Sequence, residues 1–538
     1  MKRYILQGSI CLIFILILFF NISATTLSYD IVIKDGFIIN GSGNPWFKTD
    51  IGIVGSKIVK IGLIDANCGR KVIVAKGLIV APGFIDVHTH CDRDVLRIPT
   101  VDNYILQGVT TVIGGNCGGH PFPLSELLEQ IKSNGISLNF GCLIGHNTIR
   151  REVMGFKMEP PTETELEQMK SLIDQEMKAG GFGLSTGLAY LPGIYSNKDE
   201  LVELASVVAQ YGGIYTSHIR DQGDHITEAI EEAILVGEKN GIPVEISHIK
   251  LAKDSVWGKL EKITKPVEDA RSRGVEVFLD QYPYTATSSG FTSSLPSWVF
   301  EGGREKFLER LKDKDTYNKI KKYVIQKRLT STKRINTLKT IYIAYCKKNP
   351  EYQGKNLNKI LKEQGKKPTV SNAADLIISI EKNGGAQGVF FQMDEKDVEH
   401  LMKLPYTMHA SDGGIQEIGK GVPHPRSYGT FSRVIGHYVR EKGILSIEEA
   451  IRKMTSLPAQ VFRLENRGLI KEGMYADIVI FHMKEFKDKA TFSMPHQYSK
   501  GLEYVFVNGE IVVENNRHTG RKPGMVLYGP GKTLEKEN

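Results

Sequence analysis

Apolar and polar positions change rhythm along the 538-residue chain. From residue 29 to 80 the apolar positions come in short runs: Ile31-Val32-Ile33, Ile51-Gly52-Ile53-Val54, Lys57-Ile58-Val59-Lys60-Ile61 and Lys71-Val72-Ile73-Val74. Asp35-Gly36, Gly41-Ser42-Gly43 and Gly55-Ser56 separate them. Short β-branched runs bounded by such turns predict strands. The far end has the same texture, in Ile478-Val479-Ile480-Phe481 and in Val505-Phe506-Val507 and Ile511-Val512-Val513, split by the hairpin signal Asn508-Gly509. Two strand-rich ends around a long middle predict one small β-sandwich domain assembled from residues 25–80 and 466–538.

The middle alternates buried-strand runs, such as Thr110-Thr111-Val112-Ile113, Val244-Glu245-Ile246-Ser247 and Val275-Glu276-Val277-Phe278-Leu279, with helical patterns over 162–179, 198–211 and 224–240. That alternation predicts βαβ units closing a (β/α)8 barrel over residues 81–465. A doubly wound open sheet is the alternative, but no G-x-G-x-x-G follows the first strands. Residues 301–400 interrupt the rhythm and predict a basic, mostly helical insertion over the barrel mouth.

Composition narrows the class. With 41% hydrophobic and 24% charged residues, the chain is neither disordered nor fibrous. The net charge of +8 is local in origin: Arg304 to Lys367 holds 20 Lys and Arg against 6 Asp and Glu, which leaves −6 for the rest. A nucleic-acid-binding surface over the whole protein is therefore not expected, and the basic segment is read as a solvated face.

Lys2 and Arg3 precede an apolar run from Ile10 to Phe20, and Ala24 follows. This is the layout of a signal peptide over residues 1–24, predicting an exported (periplasmic or secreted) protein without a stable membrane span after cleavage. An uncleaved N-terminal anchor is the alternative, although the run is short of the roughly 20 residues a span needs. Beyond the leader stand Cys68, Cys91, Cys117, Cys142 and Cys346, an odd and sparse set that is no disulfide framework.

The candidate chemistry sits at strand ends. His88 and His90, in Phe84-Ile85-Asp86-Val87-His88-Thr89-His90, share one face of a strand. Cys117 follows a buried run among glycines, in Gly114-Gly115-Asn116-Cys117-Gly118-Gly119. Ser217-His218 and Ser247-His248 each end a strand about one βα unit apart, and Asp412 lies in Ala410-Ser411-Asp412-Gly413-Gly414. Imidazoles and a thiolate suit Zn²⁺, and a carboxylate beside an open coordination position suits a general base.

These residues resemble the amidohydrolase superfamily. Gly115-Asn116-Cys117-Gly118, Ser247-His248-Ile249-Lys250 and Gly421-Val422-Pro423-His424-Pro425-Arg426-Ser427-Tyr428-Gly429 are more closely similar to the N-acyl-D-amino-acid deacylases, or D-aminoacylases. The resemblance implies hydrolysis of N-acyl-D-amino acids to a carboxylate and a free D-amino acid. It implies a tightly bound zinc on Cys117, His218 and His248, a weaker second site near His88 and His90, and Asp412 as the base. It nominates Arg426, with Lys250 as second candidate, for the substrate carboxylate, and Tyr190, Tyr282 and Ser288 as further substrate contacts. Cyclic amides, or dipeptides ending in a D-residue, are the alternative substrates on the same scaffold. His120, His146, His225, His409, His424 and His437 are expected in supporting or structural roles.

Overall fold

The computed structural model describes residues 28–330 and 336–532, so the leader read over residues 1–24 lies outside the described residues. Eight strands run parallel in chain order: Phe84–Asp86, Val109–Gly114, Asn139–Cys142 (continued by Ile144–Gly145), Gly183–Gly187, Ile214–His218, Val244–Ile246, Val277–Gln281 and Thr407–His409. Backbone bonds between the first and last strands close the ring. Asp412 N–H donates to the His88 carbonyl at 2.8 Å, and His90 N–H donates to the Gly413 carbonyl at 2.7 Å. This is a (β/α)8 barrel of the TIM type. Its outer helices include Leu124–Asn134, Glu163–Ala179, Lys198–Gln210, Ile226–Asn240, Glu261–Ser272, Glu395–Lys403 and Ile447–Met454, whereas only the short Asp102–Ile105 follows the first strand.

Local chemistry fixes these helices. Thr162 and Glu165 form a reciprocal capping box at the start of Glu163–Ala179, and Gly180 ends it with positive φ. Met169, Ile173, Glu176 and Met177 are its buried positions, the spacing of one helix face against the barrel.

Strands from both chain ends join one nine-stranded sheet, in which Ile79–Pro82 pairs with Tyr29–Ile38 on one side and Ile478–Phe481 on the other. Side chains alternate across it. Ile79, Ala81, Val479 and Phe481 pack into a core shared with barrel strands, while Val80, Ile478 and Ile480 enter a separate core with Ile33, Ile51 and Ile53.

Between the seventh and eighth barrel strands, the segment read as a helical insertion holds helices Arg304–Arg310, Lys314–Val324, Leu357–Glu363 and Val370–Lys382 around a core of its own. It also contributes strands Ile341–Tyr345 and Gln387–Phe391, which pair antiparallel with each other, the latter also with Ala286–Gly290. The helical reading missed this sheet because Ala286-Thr-Ser-Ser-Gly290 carries no apolar alternation; pairing with its neighbour makes it a strand.

One buried pair makes the fold sensitive to acid. His409, on the eighth strand, is fully buried and neither ring nitrogen has a hydrogen-bond partner. Burial, then the nearby Lys453 ammonium, hold its pKa well below 6.5. The folded state thus keeps His409 neutral while the unfolded chain takes up a proton below about pH 6.5, so this group lowers stability as the pH falls through that value, by about 1.4 kcal/mol per pH unit. His409→Leu is expected to remove that slope from the acid limb of a denaturation series between pH 7 and 5; an unchanged slope would exonerate His409.

Candidate metal centre

The mouth of the barrel gathers every site residue expected from the sequence. Cys117 Sγ lies 3.6 Å from His218 Nδ1, 3.5 Å from His248 Nε2 and 3.3 Å from His88 Nε2. His90 Nε2 is 3.2 Å from Asp412 Oδ1, and His88 Nε2 is 3.7 Å from the same oxygen. Arg426 Nη1 donates to the other Asp412 oxygen at 2.7 Å. Lys250 Nζ lies 3.1 Å from His248 Nδ1, and the Tyr190 ring packs on His218 with centroids 4.5 Å apart. The Tyr282 ring lies under the Arg426 guanidinium at 4.8 Å. Ser288, on the strand Ala286–Gly290, lines the cavity above them.

Backbone strain marks three of these positions. Cys117, His248 and Asp412 have φ of 55°, 38° and 48°, a region that costs a residue with a Cβ on the order of 1–2 kcal/mol. Each follows a barrel strand at its C-terminal end, and the turn there aims the side chain into the mouth. Gly118 is required next to Cys117: a Cβ there would come within 2.0 Å of Asn147 Oδ1.

The electrostatics concentrate charge on this cluster. Burial alone would raise the Cys117 thiol, but the fields of His88 and His248 and the hydrogen bonds from His218 and His248 hold it well below its ordinary value. Burial also opposes ionisation of Asp412, yet Arg426 above all, then His248, hold its carboxyl well below the usual range. Burial first, then Lys250 and His218, push His248 down to about 3. Burial brings Lys250 down to about 7, with Asp412 opposing and Arg426 reinforcing the shift.

A thiolate beside imidazoles is a zinc donor set. A tetrahedral centre with Zn–S near 2.3 Å and Zn–N near 2.0–2.1 Å holds sulfur and nitrogen about 3.5 Å apart. Cys117 meets His218 and His248 at 3.6 and 3.5 Å, the sulfur–nitrogen spacing that such an ion needs. His88, Cys117, His248 and Asp412 also place one donor atom each within 4.8 Å of one another, a second way in which the same mouth could hold an ion.

Sequence reasoning missed the supports. Asp280 Oδ2 accepts from His88 Nδ1 at 2.9 Å, and Asp280 Oδ1 accepts from the His248 backbone N–H at 2.9 Å. It thereby fixes the His88 tautomer and the His248 turn together. Asp280 is the next-to-last residue of the strand Val277–Gln281, where a carboxylate also marks a turn, so its position alone did not single it out. Gln222 Nε2 lies 3.1 Å from His248 Nδ1, from a loop with no pattern to announce it. Of the histidines set aside, His120 pairs with Glu176, His146 with Glu200 and His437 with Glu441, while His424 stands beside the site, its Nδ1 accepting from the Arg426 backbone N–H at 3.0 Å and its Nε2 3.0 Å from the Ala286 carbonyl.

The model of the amidohydrolase family matches residues 71–281 and 380–513 of this chain. The chain belongs to the amidohydrolase family. D-aminoacylase of Alcaligenes xylosoxydans xylosoxydans is 34% identical to this amidohydrolase over 523 residues, covering 93% of this chain and 97% of the relative. Among solved structures, N-acyl-D-glutamate deacylase of Bordetella bronchiseptica, complexed with zinc and a phosphonate mimic of the tetrahedral intermediate, superposes with a TM-score of 0.80. It is 32% identical and covers 93% of this chain and all of its own. A D-aminoacylase structure concerned with a binuclear metal centre, in which one metal activates and a second attenuates, matches at 32% identity, with a TM-score of 0.79 and the same coverage. The family model leaves residues 282–379 unmatched, which contain most of the inserted segment.

Proposed function

We propose that this amidohydrolase cleaves the amide of N-acyl-D-amino acids, with zinc held by Cys117, His218 and His248. The observation that carries the reading is the thiolate of Cys117 set 3.5–3.6 Å from two imidazoles in the same barrel mouth as Asp412. A zinc ion bound there supplies a Lewis acid for the amide carbonyl and lowers the pKa of water. The chain does the rest. Asp412 takes the proton of the attacking water and hands it to the departing amine nitrogen. Its bond to Arg426 keeps it ionised and aims its other oxygen toward His90. Arg426 spends one N–H on Asp412, which leaves others for the substrate carboxylate, with Lys250 as a second cation. Tyr190 lies over His218, where its hydroxyl would donate to the developing oxyanion.

His88 and His90 are proposed as the donors of a weaker second site that shares Cys117 or Asp412. In the same proposal the nine-stranded sheet closes as a sandwich from residues 25–80 and 466–538, the barrel spans 81–465, and residues 301–400 cover its mouth. The leader exports the protein.

The test is chiral. Purified protein lacking residues 1–24 and loaded with zinc is expected to release D-methionine from N-acetyl-D-methionine and to leave N-acetyl-L-methionine intact. Equal rates on the two enantiomers would overturn the deacylase reading while leaving the metal centre standing.

A further inference from the structure

The barrel mouth continues into the inserted segment. A cavity of about 420 Å³ has Tyr190, His218, Lys250 and Asp412 on its barrel side and Phe390 and Arg328 on the other. Arg328 sits at a π-helical turn, Ile325–Leu329, a widening of the helix that recurs at functional sites. Its guanidinium is held from three directions: Nε donates to Ser294 Oγ at 3.0 Å, Nη2 donates to Ser293 Oγ at 3.2 Å, and the Phe390 ring lies 4.6 Å from Cζ.

No carboxylate among the described residues lies within ion-pair distance of Arg328. Of the other cations that line this cavity, Arg220 and Lys253 have carboxylate partners, Lys250 is turned to His248 beside the scissile position, and Lys327 is exposed. Arg220 is bound through two nitrogens to Glu232, Lys253 pairs with Asp224, and Lys250 bonds to the His248 carbonyl. A half-buried guanidinium that is oriented by two hydroxyls and an aromatic ring, yet has no counter-ion, is prepared for an anion.

The geometry points to Arg328 as the receptor for a second carboxylate of the substrate, distinct from the one next to the scissile amide. The substrate class is an N-acyl-D-amino acid with an additional acid group, carried either on the D-residue side chain, as in glutamate, or on the acyl group, as in succinyl. This inference rests on the deacylase reading. An apolar group in that position would strip water from Arg328 and replace none of its hydrogen bonds, so the arginine also discriminates against neutral substrates.

The experiment compares kcat/KM of the zinc-loaded enzyme on N-acetyl-D-glutamate, N-succinyl-D-methionine and N-acetyl-D-methionine, for the wild type, Arg328→Met and Arg328→Lys. The wild type is expected to prefer one of the two diacids, and which one it prefers identifies the end of the substrate that Arg328 holds. Arg328→Met is expected to lower kcat/KM for that diacid roughly 10- to 100-fold, through KM, and to leave that for N-acetyl-D-methionine no lower than in the wild type. Arg328→Lys should restore part of the loss, a rescue that a purely structural arginine would not show. Two results overturn the assignment alone: hydrolysis of N-acetyl-D-methionine with no preference for either diacid, or an equal loss on all three substrates in Arg328→Met. Failure to cleave any of the three overturns the deacylase reading, and this inference with it.

Discussion

Asp412→Asn is expected to lower kcat by roughly 10³- to 10⁴-fold, the span of a lost general base that also serves as the acid, with zinc still bound. The amide keeps the shape of the side chain but cannot take a proton from water at neutral pH. It also leaves Arg426 and His90 without the anion that now lies 2.7 Å and 3.2 Å from them. Metal content should hold because Cys117, His218 and His248 are untouched. The readout is therefore paired: turnover falls while zinc per chain does not. Loss of both together would move Asp412 from base to ligand, and turnover that survives would remove it from the chemistry. Since Arg426 keeps this carboxyl well below its ordinary range, its protonation should not limit kcat/KM anywhere near neutral pH.

The second large effect is on the metal itself. Cys117→Ala removes the sulfur around which three imidazole nitrogens sit within 3.6 Å. Changes to groups that merely orient a ligand cost 10- to 100-fold in metal affinity, so deleting the thiolate should cost more than about 100-fold. Dialysed Cys117→Ala is expected to contain almost no zinc and to show no turnover, and added zinc at micromolar concentration should not restore it. The fold should survive: the barrel closes through backbone bonds from the Asp412 N–H to the His88 carbonyl and from the His90 N–H to the Gly413 carbonyl that do not involve this side chain. Stoichiometric zinc in Cys117→Ala would assign the tight site to His88, His90 and Asp412 instead.

Much of this was legible because the fold puts its chemistry at strand ends. His88, His90, His218 and His248 could be read from runs of buried residues that stop at a histidine, and Asp412 from a similar run ending before two glycines. Barrel geometry then requires such residues to meet at one mouth. Asp280 stayed hidden in Leu279-Asp280-Gln281 because a carboxylate ending a strand is also the mark of a turn; only its bonds to His88 and to the His248 backbone disclose its part. Arg328 was hidden among lysines. In a segment with 20 Lys and Arg against 6 Asp and Glu, nothing local separates a solvated cation from one seated on Ser293, Ser294 and Phe390. The strand Ala286–Gly290 was hidden for a related reason: its pairing partner lies about 100 residues further along.

The paired fates of Asp412→Asn and Cys117→Ala both depend on how the zinc is held, which X-ray absorption at the zinc edge reads directly in the loaded, unmodified enzyme. One sulfur scatterer near 2.3 Å with nitrogen or oxygen scatterers near 2.0–2.1 Å, the sulfur vanishing in Cys117→Ala, is the result expected for Cys117, His218 and His248. A shell of nitrogen and oxygen alone would contradict it.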